Sequence, residues 1–185
     1  MTINYSDYKA PLNRVSFDAA NGVSVCDSDI EVIDFDVFLE EYFKSINPSS
    51  KKPESVDAYC LMNGEKCLIE FKNGQFKRKD IVDKIGHSVL TLLSKENLSL
   101  NTFKEHANFI LVYNKKEIYG KNGKIQNSPS KYDIRDVLLK KAKLPSFVPF
   151  GLDKTFKDIY FKNVIAYDKN EFNSLISKIE IKCPN

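Results

Sequence analysis

The sequence predicts an α/β fold, a mixed central β-sheet flanked by helices. Three observations carry that prediction. Two apolar-rich runs flank Asn63-Gly64, a strong two-residue hairpin signal. Two segments, residues 33–46 and 77–97, repeat apolar residues at helical spacing. The run "ANFILVYNKK" is almost continuously apolar, as expected of a strand covered on both faces. A length of 185 residues with 42% hydrophobic residues suits one domain with a real core, so residues 1–185 are read as a single domain.

The elements follow in order. Residues 1–12 read as a loosely held N-terminus. "RVSFDAANGVSVC" reads as a first hairpin around Asn21-Gly22. "IDFDVFLEEYFKSI" is a helix whose stripe is Phe35, Phe38, Leu39, Tyr42, Phe43 and Ile46. "NPSSKKPES" is a turn-rich loop that ends it. The Asn63-Gly64 hairpin comes next, then a helix over "KRKDIVDKIGHSVLTLLSKEN" with Ile81, Ile85, Val89, Leu92 and Leu93 on its buried face. After the apolar strand, residues 117–132 read as a polar connector and "DIRDVLLKKAKL" as a short helix. "SFVPFGLDKTF" is an irregular segment rich in Pro and Gly. A last strand in "IYFKNVIAYDK" and a last helix in "NEFNSLISKIEI" close the chain, making a C-terminal strand-helix extension over 133–185.

Bulk properties exclude several classes. The N-terminal "MTINYSDYKAPLNR" lacks the apolar stretch of a signal peptide. No apolar run approaches the roughly 20 residues that span a bilayer, so no membrane partner is expected and the chain is read as cytoplasmic. Cys26, Cys60, Cys67 and Cys183 show no CxxC spacing, which argues against a structural zinc site and for buried thiols. Charged residues make up 29% of the chain, yet the formal net charge is only +3, which does not by itself mark a nucleic-acid binder. The arginines are Arg14, Arg78 and Arg135. Lysine holds phosphate as a point charge, so this composition argues against bidentate reading of bases.

The chemistry concentrates in the hairpin. Its turn sets Cys60 opposite Cys67 and Asp57 opposite Glu70, and facing residues have Cβ atoms about 4.5–5.5 Å apart. Strand alternation puts Lys72 on the same face as Glu70. Like charges facing across a ladder are unfavourable, and three remedies exist. One carboxyl stays protonated, Lys72 neutralises the pair, or a divalent cation binds between them. Carboxylates and a backbone carbonyl, here that of Phe71, are hard ligands suited to Mg²⁺ or Mn²⁺. Because "CLIEFKNG" is apolar around Glu70, the strand should run inside the fold, where a charge is costly without a use.

The pattern "VDAYCLMNGEKCLIEFK", an acid, a hairpin and then Glu70-Phe71-Lys72 before a helix, resembles the PD-(D/E)XK nuclease superfamily. It is most similar to Holliday junction resolvases and restriction-endonuclease-like enzymes, over about residues 34–113. The resemblance implies a restriction-endonuclease-like α-β-β-α-β core and an Mg²⁺- or Mn²⁺-dependent nuclease acting on DNA, in a family where dimers are common. It implies that Asp57, Glu70 and the Phe71 carbonyl hold the metal. Lys72 would orient or help deprotonate the attacking water and offset phosphate charge. Val56 stands where the family carries proline. The family often adds a helix glutamate, for which Glu40 is preferred over Glu41 and Asp36.

Gln75, Lys77, Arg78 and Lys79 crowd the start of the second helix, where amides and cations favour phosphate. Lys115, Lys116, Lys121 and Lys124 with Tyr119 form a second basic stretch able to clamp a strand. His87 is expected in a surface or polar contact, His106 at the end of a loop, and Tyr59 in packing. The rival expectation is a non-catalytic module on the same fold that binds nucleic acid or protein, or one that only scaffolds an assembly.

Overall fold

The computed structural model describes residues 3–49, 51–74, 76–114 and 148–184. Gln75, the basic stretch from Lys115 to Lys124 and the helix expected over 133–144 lie outside the described residues.

The chain opens with a 3-10 turn at Tyr5–Tyr8, followed by β1 (Lys9–Pro11) and the single turn α1 (Leu12–Val15). A small antiparallel hairpin of β2 (Phe17–Asp18) and β3 (Val23–Ser24) follows, with Gly22 at φ 65° in its loop. Next come β4 (Glu31–Asp34), α2 (Phe35–Ile46), β5 (Ala58–Met62), β6 (Glu65–Lys72), α3 (Arg78–Glu96), α4 (Leu100–His106) and β7 (Ala107–Tyr113). The C-terminal part supplies α5 (Leu152–Phe156), β8 (Asn163–Asp168), α6 (Lys169–Ile176) and β9 (Ile181–Lys182).

Among the described residues these strands form a seven-stranded sheet in the order β1-β4-β5-β6-β7-β8, with β9 paired to β5. The pairs β1–β4, β4–β5, β5–β6 and β5–β9 are antiparallel, while β6–β7 and β7–β8 are parallel. The sheet is therefore mixed, and helices cover both faces. One apolar cluster joins α2, α3 and α4 to the face carrying Ile33, Tyr59, Leu68 and Phe109. The other face carries Val32, Cys60, Ile69 and Val112 under α1 and α6. No helix among the described residues is long and apolar enough to cross a membrane.

Local chemistry accounts for the main elements. Asn63 and Gly64 both have positive φ, 49° and 83°, which is the type I′ geometry that matches strand twist. Cys60 pairs with Cys67 in the ladder, and both are buried and free. The Asp34 side chain caps α2 by accepting from the Val37 amide. Phe35, Phe38 and Leu39 are fully buried, Tyr42 and Phe43 half-buried, and Ile46 is 65% exposed, so the apolar stripe fades as α2 leaves the sheet. All seven residues of β7 are buried, as a strand between two parallel neighbours requires.

Five readings need correction. The segment read as irregular contains the short helix α5, Leu152–Phe156. Within the segment read as loose, residues 3–12 are tied down: Tyr5 is buried, its hydroxyl donates to Glu96 at 3.0 Å, and β1 pairs with β4. The start of the segment expected to be helical, Ile33-Asp34, is strand, because β4 fills the gap between β1 and β5. His106 ends a helix instead of a loop; Ser99 caps α4 by accepting from the Thr102 amide at 3.1 Å. The final helix stops at Ile176, and Ile181–Lys182 pair with β5 as β9.

Candidate active site at the end of the central hairpin

Glu70 lies near the end of β6, inside the sheet, where strand alternation turns it toward α3 along with Leu68 and Lys72. Its side chain is 0% exposed. Asp57 sits just before β5. The regular ladder runs from Ala58–Ile69 to Met62–Glu65. One step further the pairing changes: the Asp57 amide donates to the Ile69 carbonyl at 3.1 Å. The Phe71 amide then donates to Asp57 Oδ2 at 2.7 Å. That bond fixes the Asp57 carboxylate beside β6 at the level of Glu70.

Lys72 Nζ reaches Glu70 Oε1 at 2.7 Å. A fourth group completes the constellation. Lys84, in the second turn of α3, places its Nζ 2.8 Å from the same Glu70 Oε1 and 3.1 Å from Asp57 Oδ1. Two carboxylates and two ammonium groups thus share one small volume. Glu70 Oε1 lies within ion-pair distance of both ammonium groups, yet both buried Glu70 oxygens lack a well-formed hydrogen bond among the described residues. A buried carboxylate oxygen without a donor costs free energy.

The electrostatics follow from burial. Burial, reinforced by the charge of Asp57 and opposed by Lys84 and Lys72, raises the Glu70 carboxyl from 4.5 to about 7. Burial also raises Asp57, against Lys84, the Phe71 amide and Lys72. For Lys84, burial alone would lower the ammonium; Asp57 and Glu70 outweigh it and hold it above its ordinary value.

The site is open on one side. Asp57, Phe71, Lys72 and Asn73 line a cleft of about 440 Å³ whose far wall is α1 and the β2–β3 hairpin, including Phe17 and Asp18. Asn73 fixes that rim, donating to Asp18 Oδ2 at 2.9 Å and accepting from the Asn114 amide group at 2.8 Å. Lys77, Arg78 and Lys79 are exposed where α3 begins, and Arg78 donates to Thr155 at 3.0 Å.

The structure brings Asp57, Glu70 and Lys72 together, but not by direct facing of Asp57 and Glu70 across the ladder: the regular register ends at Ala58–Ile69, and Asp57 reaches the site by the altered pairing beyond it. It does not bring Glu40 to them. Glu40 pairs with Lys44 at 2.8 Å and Lys52 at 3.8 Å on the exposed flank of α2. Glu41 also meets Lys44, and Asp36 meets Ser55 and Lys52. His87 is exposed, with Nδ1 3.1 Å from the Glu54 carbonyl. Tyr59 is buried; its hydroxyl donates to Glu96 at 2.8 Å and accepts from Lys66 at 3.1 Å. Lys84 escaped the sequence reading. One signal existed: Lys84 lies three residues after Ile81 and four before Ser88, both buried, so it borders the packed stripe of α3.

No cluster of three or more Asp, Glu, His or Cys side chains able to hold a metal is present among the described residues. The site offers two carboxylates, of which that of Glu70 lacks a well-formed hydrogen bond among the described residues. That donor set suits Mg²⁺, which takes one or two carboxylates and otherwise keeps waters and substrate phosphates. No family model, curated protein or solved structure matches the chain.

Proposed function

We propose that the protein is a divalent-metal-dependent nuclease that hydrolyses phosphodiester bonds, with DNA as its substrate, on a restriction-endonuclease-like core. The observation that carries this reading is the meeting of buried Glu70 with Asp57 and Lys72, which line a cleft, both Glu70 oxygens lacking a well-formed hydrogen bond among the described residues. Supporting it, the order α2, β5, β6, α3, β7 follows the core order of the resembling nucleases, with the short α4 added.

Asp57, Glu70 and the Phe71 carbonyl would hold Mg²⁺ or Mn²⁺. When bound, the ion supplies Lewis-acid polarisation of the phosphate and a more acidic water. The chain supplies the rest. The Phe71 amide fixes Asp57. Lys72, 21% exposed and lining the cleft, is placed to orient the attacking water and offset charge on the phosphate oxygens. Lys77, Arg78 and Lys79, with the first-turn amides of α3, hold the backbone of the nucleic acid. Such an activity would serve repair, restriction or defence against mobile elements.

The test is cleavage. Purified protein should nick or degrade DNA with Mg²⁺ or Mn²⁺, and Asp57→Ala, Glu70→Ala and Lys72→Ala should each abolish it. Undiminished cleavage in all three variants would reject the site. One observation favours a second reading, a non-catalytic binding module: Lys72 and Lys84 already neutralise the two acids without an added cation. A module of that kind retains nucleic acid or a protein partner with no metal present and cleaves nothing.

A further inference from the structure

Lys84 is the one member of the constellation with no role in the reading above. Its ammonium reaches both acids, Asp57 at 3.1 Å and Glu70 at 2.8 Å, whereas that of Lys72 pairs with Glu70 at 2.7 Å. It occupies the space between the two carboxylates, where a cation held by both would sit. Lys84 is 19% exposed and borders the packed face of α3, so its ammonium has a short path to water. Both acids are held in place by the fold, Asp57 by the Phe71 amide and Glu70 by its position inside the sheet.

We infer that Lys84 is an internal counter-ion that competes with the divalent metal for Asp57 and Glu70, keeping the acids paired until the ion displaces it. The inference rests on the nuclease reading for the existence of the metal site. Its physical basis is simple. A site whose like charges are already bridged gives up that bridge when a second cation enters, so the affinity for the metal is lowered by the strength of the bridge. A ligand and an internal group that exclude one another are coupled, and such couplings commonly amount to about 5- to 150-fold in affinity. Lys84 is thus a positioning residue that sets the metal concentration at which the site loads.

The experiment is a calorimetric Mn²⁺ titration of the whole protein, without nucleic acid, comparing wild type with Lys84→Met, Lys84→Arg and Lys72→Met. Circular dichroism and thermal melts confirm that each variant is folded. Lys84→Met should bind Mn²⁺ about tenfold or more tightly than wild type, within that coupling range. Lys84→Arg, which keeps the charge, should stay near wild type, and Lys72→Met should gain less than Lys84→Met. If wild type binds and Lys84→Met binds no better, the counter-ion role is overturned while the metal site stands. If neither wild type nor folded Lys84→Met binds Mn²⁺, the metal reading fails and the counter-ion role falls with it. Should Lys84→Met be unfolded, Lys84→Gln takes its place under the same criteria.

Discussion

Glu70→Gln removes one ionisable group from the interior and leaves the side-chain shape nearly unchanged. In the folded protein burial raises this carboxyl from 4.5 to about 7, with Asp57 adding to the effect and the two lysines opposing it. The folded state therefore binds the Glu70 proton more tightly than the unfolded chain. Between pH 4.5 and about 7 the native state holds more protons, so stability falls as pH rises through that window. The gap corresponds to roughly 3 kcal/mol, a large share of the 5–15 kcal/mol typical of a domain. Glutamine carries no such titration. In metal-free buffer, urea unfolding of both proteins from pH 4.5 to 8 should show the variant gaining on wild type by roughly 3 kcal/mol across the window. Added Mn²⁺ should return stability to wild type at the high end and leave the variant unmoved, since only a bound ligand stabilises the native state. A stability difference that stays flat with pH would show that Glu70 ionises in the fold as readily as in the unfolded chain. The picture of a strained carboxylate awaiting a cation would then be wrong.

Phe38→Ala empties a fully buried ring site that touches Tyr5, Tyr8, Phe35 and Tyr42. It should cost about 3–5 kcal/mol by urea denaturation, and a loss below about 1 kcal/mol would contradict this packing. Replacing Lys77, Arg78 and Lys79 together by alanine should weaken DNA binding and make the slope of log K against log salt shallower by about 3 for a duplex. An unchanged slope would place the phosphate contacts elsewhere.

Much of the site was legible because it is local. The Asn63-Gly64 turn determines register, register places Cys60 against Cys67, and period-two alternation puts Glu70 and Lys72 on one face. Burial of Glu70 was foreshadowed by its apolar neighbours Leu68, Ile69 and Phe71. Strands such as β1 and β9 were not legible, since two or three residues carry no period and their pairing depends on what lies beside them. The wheel position of Glu40 was ambiguous for a related reason. Both flanks of an apolar stripe face roughly sideways, and the seating of α2 against the sheet leaves both Glu40 and Glu41 at the surface, paired with Lys44.

The sequence by itself determined the hairpin and its register up to Ala58–Ile69, the shared face of Glu70 and Lys72, the apolar faces of α2 and α3, and a strand buried on both sides. These depend on chain-neighbour geometry, whereas Asp57 reaches Glu70 through the altered pairing beyond Ala58 and the Phe71 amide. Tertiary structure decided which further groups join them. Lys84 is 14 residues past Glu70, and its place beside the packed stripe of α3 does not by itself say which groups it meets. Only the docking of α3 over β6 turns its ammonium inward, because a long flexible side chain follows the nearest uncompensated charge, and that charge is set by packing.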